Sequence, residues 1–282
     1  MPIREIESAD ITKTVKELCV KANKQLPPDL CSVIKCFEKS EENVGAKDIL
    51  NDMLKNLDAA KELNLPICQD TGMAVVFVEL GNDVHIKGDL LDDAINKGVE
   101  LAYTGDYLRC SVVADPIARV NTDNNTPAVI HLKMVKGANI KITVAPKGFG
   151  SENMSKIKMF NPSASEQDII SFVEQTVKDA GGNPCPPVVV GVGIGSDFEG
   201  CAILSKKALC RSISKEHPDP YYRSLEEKML SAINSLNIGP QGFGGKTTAL
   251  AVNIEVFATH IAGLPVAVNM GCHVTRHAEK LI

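Results

Sequence analysis

The sequence predicts an α+β fold, a helical N-terminal part followed by mixed strands and helices. Three observations predict it. Apolar residues recur at helical spacing through the first 65 positions; beyond them short apolar runs are bounded by glycine and proline; and further helical patterns interrupt those runs. The expected organisation is a helical segment over 1–65 and an α+β region over 66–282, joined in one compact subunit.

Ile11, Val15, Leu18 and Ala22 share one helical face, and Pro27-Pro28 ends that pattern. A second helix carries Leu30, Val33, Ile34 and Phe37, and a third carries Ile49, Met53, Leu57 and Ala60. Cys19, Cys31 and Cys36 lie within these patterns and read as packing residues. Pro66 then pushes its predecessor out of the α region, and Gly72 permits a turn into a strand over Ala74–Leu80. Leu90–Tyr103 reads as a helix, and Asn121–Pro127 as a loop too polar for a core. Val129–Val135 and Ile140–Ala145 are expected to form a hairpin through Lys136-Gly137-Ala138-Asn139.

Pro146–Ser155 is a loop whose backbone N–H groups could hold an anion, or a plain surface turn. A helix over Ser165–Ala180 follows, with Glu166 as its capping partner. Val188–Gly195 is an apolar strand. Its glycines at 191, 193 and 195 lack the Gly-x-x-Gly half of a dinucleotide fingerprint, and they read instead as sites of close backbone approach within a sheet. Helices over 198–212 and 221–236 come next. Gly239–Thr248 looks like a phosphate-binding loop but has one residue too many before Gly245-Lys246. Two strands, Ala249–Thr259 and Pro265–Met270, close the chain and carry His260 and then Gly271–Arg276.

The net charge of −5 gives no electrostatic reason to expect nucleic acid or a membrane surface as partner. No apolar run reaches the ~18–20 residues that span a bilayer. Met1–Glu7 lacks the apolar core of a secretory signal, so a cytoplasmic location is expected. Nine cysteines, an odd number without any CxxC pair, read as reduced thiols rather than disulfides or a local zinc site. Cys68, Cys185 and Cys272 stand apart because their surroundings are rich in glycine, proline and polar groups. Three thiolates from distant loops could hold a cubane iron–sulfur cluster and leave one iron open as a Lewis acid. Spacing alone does not establish one.

The motifs around them are more specific. Pro66-Ile67-Cys68-Gln69-Asp70-Thr71-Gly72, Lys147–Ser155, Cys185-Pro186-Pro187, Gly239–Thr248 and Asn269-Met270-Gly271-Cys272-His273-x-x-Arg276 occur in that order. Together they resemble the alpha subunit of the two-subunit class I fumarases, whose close relatives are the L(+)-tartrate dehydratases. The resemblance runs from about residue 10 to the C-terminus. It implies that Cys68, Cys185 and Cys272, rather than Cys201, bind a 4Fe-4S cluster with one iron lacking a protein ligand. It also implies that Gln69 and Asp70 contact the substrate, Asp70 as candidate proton donor to the departing hydroxyl. Arg109 would pair with a substrate carboxylate, Gly148 would lie against the substrate, and His260 would hydrogen-bond the bound acid.

The expected reaction is the interconversion of (S)-malate and fumarate, with L(+)-tartrate dehydration as the alternative. In single-chain members a second domain brings a threonine base, two arginines and a lysine. This chain stops at Ile282, so by resemblance a separate beta subunit supplies them in an alpha–beta hetero-oligomer. The sequence departs from the family at Asp123, where glycine is usual, at Gly195-Ser196-Asp197, where a more glycine-rich turn is usual, and at Cys110, where lysine is common. Outside the family, a nucleotide-binding protein using its glycine-rich loops, or a non-enzymatic iron–sulfur scaffold, are the rival readings.

Overall fold

A computed structural model describes residues 3–282. In chain order the elements begin with strand β1 (Arg4–Glu7) and helices α1 (Ser8–Lys24), α2 (Pro28–Ser40) and α3 (Val44–Glu62). Next come β2 (Met73–Gly81), β3 (Val84–Lys87), α4 (Leu91–Gly105), β4 (Val129–Val135) and β5 (Ile140–Lys147). After these follow the short α5 (Phe149–Glu152), β6 (Lys156–Phe160), α6 (Glu166–Ala180), β7 (Val188–Ser196), α7 (Phe198–Ala208) and α8 (Pro220–Asn234). A 3-10 turn (Pro240–Gly242) leads to β8 (Ala249–Thr259), β9 (Leu264–Gly271) and β10 (Ala278–Leu281). The fold is α+β. The short strands β1, β3, β6 and β10 were not expected, and no helix among the described residues is long and apolar enough to cross a membrane.

The chain divides into two compact units. The first comprises the described residues up to Leu26, Ala59–Phe149 and Arg276–Ile282. Its main sheet has the order β10-β5-β2-β4, and β1 pairs in parallel with β3. The hairpin expected of β4 and β5 does not form. β2 lies between them, parallel to β4 and antiparallel to β5. β2 is buried over most of its length, and an edge place would leave one of its ladders unpaired. Ala74, Val76 and Val78 of β2 join Ile140, Ile142 and Val144 of β5, with Ile11, Val15 and Leu18 of α1 and Ile95 and Val99 of α4 beside them in the core. The register Met73↔Lys147 sets the loop before β2 beside the loop after β5.

The second unit comprises Pro27–Asp58 and Gly150–Thr275. Its sheet has the order β6-β9-β7-β8, with β7 parallel to β8 and antiparallel to β9. The two-residue period of β7 decides what packs on each face. Val188, Val190, Val192 and Ile194 share a core with Ile170, Val173 and Val177 of α6 and with Leu225, Met229 and Ile233 of α8. Three of the alternate positions are glycines, and α7 lies on Gly191 and Gly193. A Cβ at Gly191 would stand 2.1 Å from the Ser205 carbonyl oxygen, and one at Gly193 would stand 2.2 Å from that of Cys201. Gly191 and Gly193 therefore serve the approach of a helix to the sheet rather than the expected approach within it; only Gly195, whose Cβ would stand 2.0 Å from the Phe257 carbonyl oxygen of β8, meets a neighbouring strand. α6 opens with a capping box, but its reciprocal partner is Asp168 rather than Glu166: the Ser165 hydroxyl accepts from Asp168 N–H, and the Asp168 carboxylate accepts from Ser165 N–H.

Candidate active site

In the first unit, Cys68-Gln69-Asp70-Thr71-Gly72 is a bent loop fastened on several sides. The buried Tyr103 hydroxyl donates to the carbonyls of Thr71 (2.7 Å) and Gly72 (3.2 Å). Asn125, also buried, donates to the Gly72 carbonyl at 3.0 Å, and Arg276 donates to the Asp70 carbonyl at 2.6 Å. The Thr71 hydroxyl in turn donates to the Arg109 carbonyl (3.0 Å), tying in the segment that carries the exposed Arg109 side chain. Gly72 has φ +72, and a Cβ there would stand 2.7 Å from the Lys147 backbone, so only glycine fits this turn.

The Asp70 carboxylate bridges two loops. Oδ1 accepts from Gly72 N–H at 2.9 Å, and Oδ2 accepts from Phe149 N–H at 3.1 Å. A Cβ on Gly148 would stand 2.9 Å from Oδ2. The structure thus gathers Cys68, Gln69, Asp70, Arg109 and Gly148 around one end of the β2–β5 pair. The N–H of Phe149, expected as part of an anion loop, is taken by the protein's own carboxylate. Tyr103, Asn125 and Arg276 were not among the expected site residues. The signals in the sequence were a phenol on the apolar face of a helix, an amide in a polar loop and the arginine that closes the Cys272 motif.

In the second unit Cys185 and Cys272 come together. The N–H of His273, the residue after Cys272, donates to the Cys185 carbonyl at 3.3 Å, and His273 Nδ1 lies 3.1 Å from the same oxygen. The glycine-rich segment Gly239–Thr248 is held by Glu41, a carboxylate only 5% exposed. Glu41 accepts from the N–H groups of Lys246 (3.3 Å) and Thr247 (3.0 Å) and from the Thr247 hydroxyl (2.7 Å). Donors that a phosphate loop would aim at a nucleotide are spent on this glutamate, and Lys246 Nζ pairs with Glu42 at 2.7 Å. Burial alone would raise the Glu41 carboxyl; the Thr247 hydroxyl and the Asn43, Lys246 and Thr247 N–H groups outweigh it and hold the group below the usual glutamate value.

His260 is elsewhere in that unit. Cys185 and Cys272 flank the N-terminal end of β7, where Val189 pairs with Gly271. His260 follows Thr259, which pairs with Ser196 at the other end of β7. At about 3.3 Å per residue, the strand separates them by roughly 25 Å. The contact implied for His260 is therefore not with an acid held beside those two thiols of its own chain. Ala262 N–H donates to its Nδ1 at 3.1 Å, which leaves Nε2 as the ring's proton-bearing donor in the neutral form.

The thiols sort by environment. Burial pushes Cys19 up to about 12 and Cys201 to about 11, and Cys201 Sγ donates to the Gly193 carbonyl at 3.2 Å, so both are core thiols. Cys36, expected in packing, is exposed. Cys68 and Cys272 are half-buried and Cys185 exposed, all three in loops, and three such soft donors fit an iron–sulfur cluster. Among the described residues, no three His, Cys, Asp or Glu side chains form a ready-made site for a metal ion.

The family model described as Fumarate hydratase (Fumerase) matches residues 12–280. A Methanocaldococcus jannaschii chain provisionally named L(+)-tartrate dehydratase subunit alpha is 38% identical over 278 residues, which cover 96% of this chain and 97% of that one. L(+)-tartrate dehydratase subunit alpha of Escherichia coli O157:H7 is 33% identical over 276 residues, 96% of this chain and 90% of its own. Its counterpart in Escherichia coli strain K12 is 32% identical over 276 residues, with 96% and 90% covered.

Proposed function

We propose, for a chain that belongs to the fumarate hydratase family, that it is the alpha subunit of a hydro-lyase that removes water from a 2-hydroxy dicarboxylic acid. The observation that carries this is the match along nearly the whole chain to relatives named as alpha subunits. The fastened Cys68–Gly72 loop supports it. Our first reading of the substrate pair is (S)-malate and fumarate. L(+)-tartrate is the second, favoured by the relatives' names.

Cys68, Cys185 and Cys272 would hold a 4Fe-4S cluster. When bound, a cluster with one iron lacking a protein ligand supplies a Lewis acid for the leaving hydroxyl. The exposed Arg109 offers a planar, bidentate partner for one substrate carboxylate, and Gln69, also exposed, offers a hydrogen bond. Gly148 lets the acid approach without a side chain in the way. Asp70 keeps a second lone pair on each oxygen after accepting from Gly72 and Phe149. A proton carried there would pass to the departing hydroxyl as the C2–O bond breaks, giving water. The C3 proton would go to a base on a separate beta subunit, and Arg109 would offset the negative charge that builds up as that proton leaves.

The test is turnover of (S)-malate and of L(+)-tartrate by the anaerobically reconstituted chain with its beta subunit. Turnover of either acid supports the hydro-lyase, and the larger kcat/KM identifies the substrate. A complex that contains the cluster but turns over neither acid contradicts the proposal and leaves a non-enzymatic iron–sulfur protein.

A further inference from the structure

We infer that Gln241 is a positioning residue for Cys185, and that the glycine-rich segment Gly239–Lys246 is a brace for the Cys185 loop. The inference rests on the reading of Cys185 as a cluster ligand. The residues after Cys185 are two prolines, which have no N–H. Cys185 N–H itself donates to the Gly182 carbonyl at 3.1 Å, but past it the stretch can be tied down through its backbone only by groups that donate to its carbonyls. The structure supplies them at two successive positions. His273 N–H donates to the Cys185 carbonyl, and Gln241 donates twice to the next one: its backbone N–H lies 2.8 Å, and its side-chain Nε2 3.2 Å, from the Pro186 oxygen.

Gln241 holds this post in a backbone conformation that favours glycine, with φ +54 and ψ +12. Cys185 is itself left-handed, with φ +55. Two non-glycine residues in that region on facing loops need surroundings that fix them. For Gln241 the surroundings are the rest of its segment. Gly239 N–H donates to the Thr248 hydroxyl at 3.2 Å, Gly244 N–H donates to the Ile238 carbonyl at 2.8 Å, and Glu41 anchors Lys246 and Thr247. Gly182 lies against the brace, with room for a Cβ only 3.2 Å from the Gln241 carbonyl oxygen. A glycine at 241 would adopt the backbone more easily; what the glutamine adds is the amide aimed at Pro186.

The test uses the full chain without cluster, as wild type, Gln241→Gly and Gln241→Glu. The glycine variant keeps the backbone donor, and the glutamate variant keeps the shape but replaces the amide donor with an acceptor. Iodoacetamide labelling followed by peptide mass spectrometry gives the rate at Cys185, with exposed Cys36 as internal reference and buried Cys19 as the monitor of unfolding. The expected result is a shift of the Cys185/Cys36 ratio away from its wild-type value in both variants, as the loop that sets the surroundings of this exposed thiol is released. Cys19 should stay protected, and iron and sulfide uptake on anaerobic reconstitution should fall. An unchanged Cys185 ratio in both variants, or a shift accompanied by equal exposure of Cys19, overturns the brace. Wild type that takes up no cluster, even with its beta subunit, while the Cys185 ratio still responds, instead overturns the ligand reading and leaves the brace standing.

Discussion

Asp70 shows how much one side chain can be asked to do. Its two oxygens each take a backbone N–H, one from its own loop and one from the loop after β5, so the carboxylate fixes the spacing between them. Gly148 leaves the room that this needs. Gly148→Ala would place a methyl carbon 2.9 Å from Oδ2 and push the carboxylate aside, in a loop that is otherwise unstrained. We expect kcat/KM with the beta subunit to fall at least about ten-fold, the effect of misplacing a reacting group by a fraction of an ångström. Thermal unfolding should show little change, and a loss of activity matched by a loss of fold would contradict the assignment. Two of the residues that depart from the family pattern stand where the backbone turns left-handed. Asp123 and Ser196 have φ +62 and φ +63, in the region where glycine is easiest, and a short polar side chain at Asp123 tolerates it. Side-chain identity in the motifs was legible because Cys, Asp and Arg announce chemistry by type. The buried donors Tyr103, Asn125 and Arg276 were not, since their role exists only once the chain has brought distant segments together.

Among the elements, strand and helix identity followed period, and pairing did not. β8 has the bounds read from its apolar run, and β2 extends its expected bounds by one residue at each end. The hairpin of β4 and β5 was a sound local inference from a glycine-containing link, overridden because β2 takes the place between them. Four short strands carried too few residues for a period to show. The glycine-rich loop before β8 is the element whose chemistry was hardest to read, since its donors turn inward to Glu41. Glu41→Gln keeps the shape but loses the charge that accepts these bonds, and should cost about 1–3 kcal/mol at neutral pH. Because the folded state holds the Glu41 carboxyl low, its contribution is fully present above the ordinary glutamate value of about 4.3 and is lost as pH falls through the lower folded value. Urea unfolding of both proteins from pH 7 downward should therefore show the gap closing in acid. A gap that widened in acid would contradict the clasp.

For the whole molecule, membership of the family was legible in five motifs, and the match over residues 12–280 bears it out. The α+β class was legible as well. The place of His260 was not, because twelve residues of spacing before Cys272 say nothing about which end of a sheet each residue reaches. The proposed hydro-lyase stands or falls with Cys68, Cys185 and Cys272 as the three ligands of its cluster. Iron and acid-labile sulfide content after anaerobic reconstitution, with the beta subunit present, tests it most directly across wild type and the single serine variants at 68, 185, 272 and 201. About four of each are expected per wild-type and Cys201→Ser chain, with loss of the cluster in the other three. Retention in Cys185→Ser with loss in Cys201→Ser, or a wild-type chain that takes up neither iron nor sulfide, would contradict it.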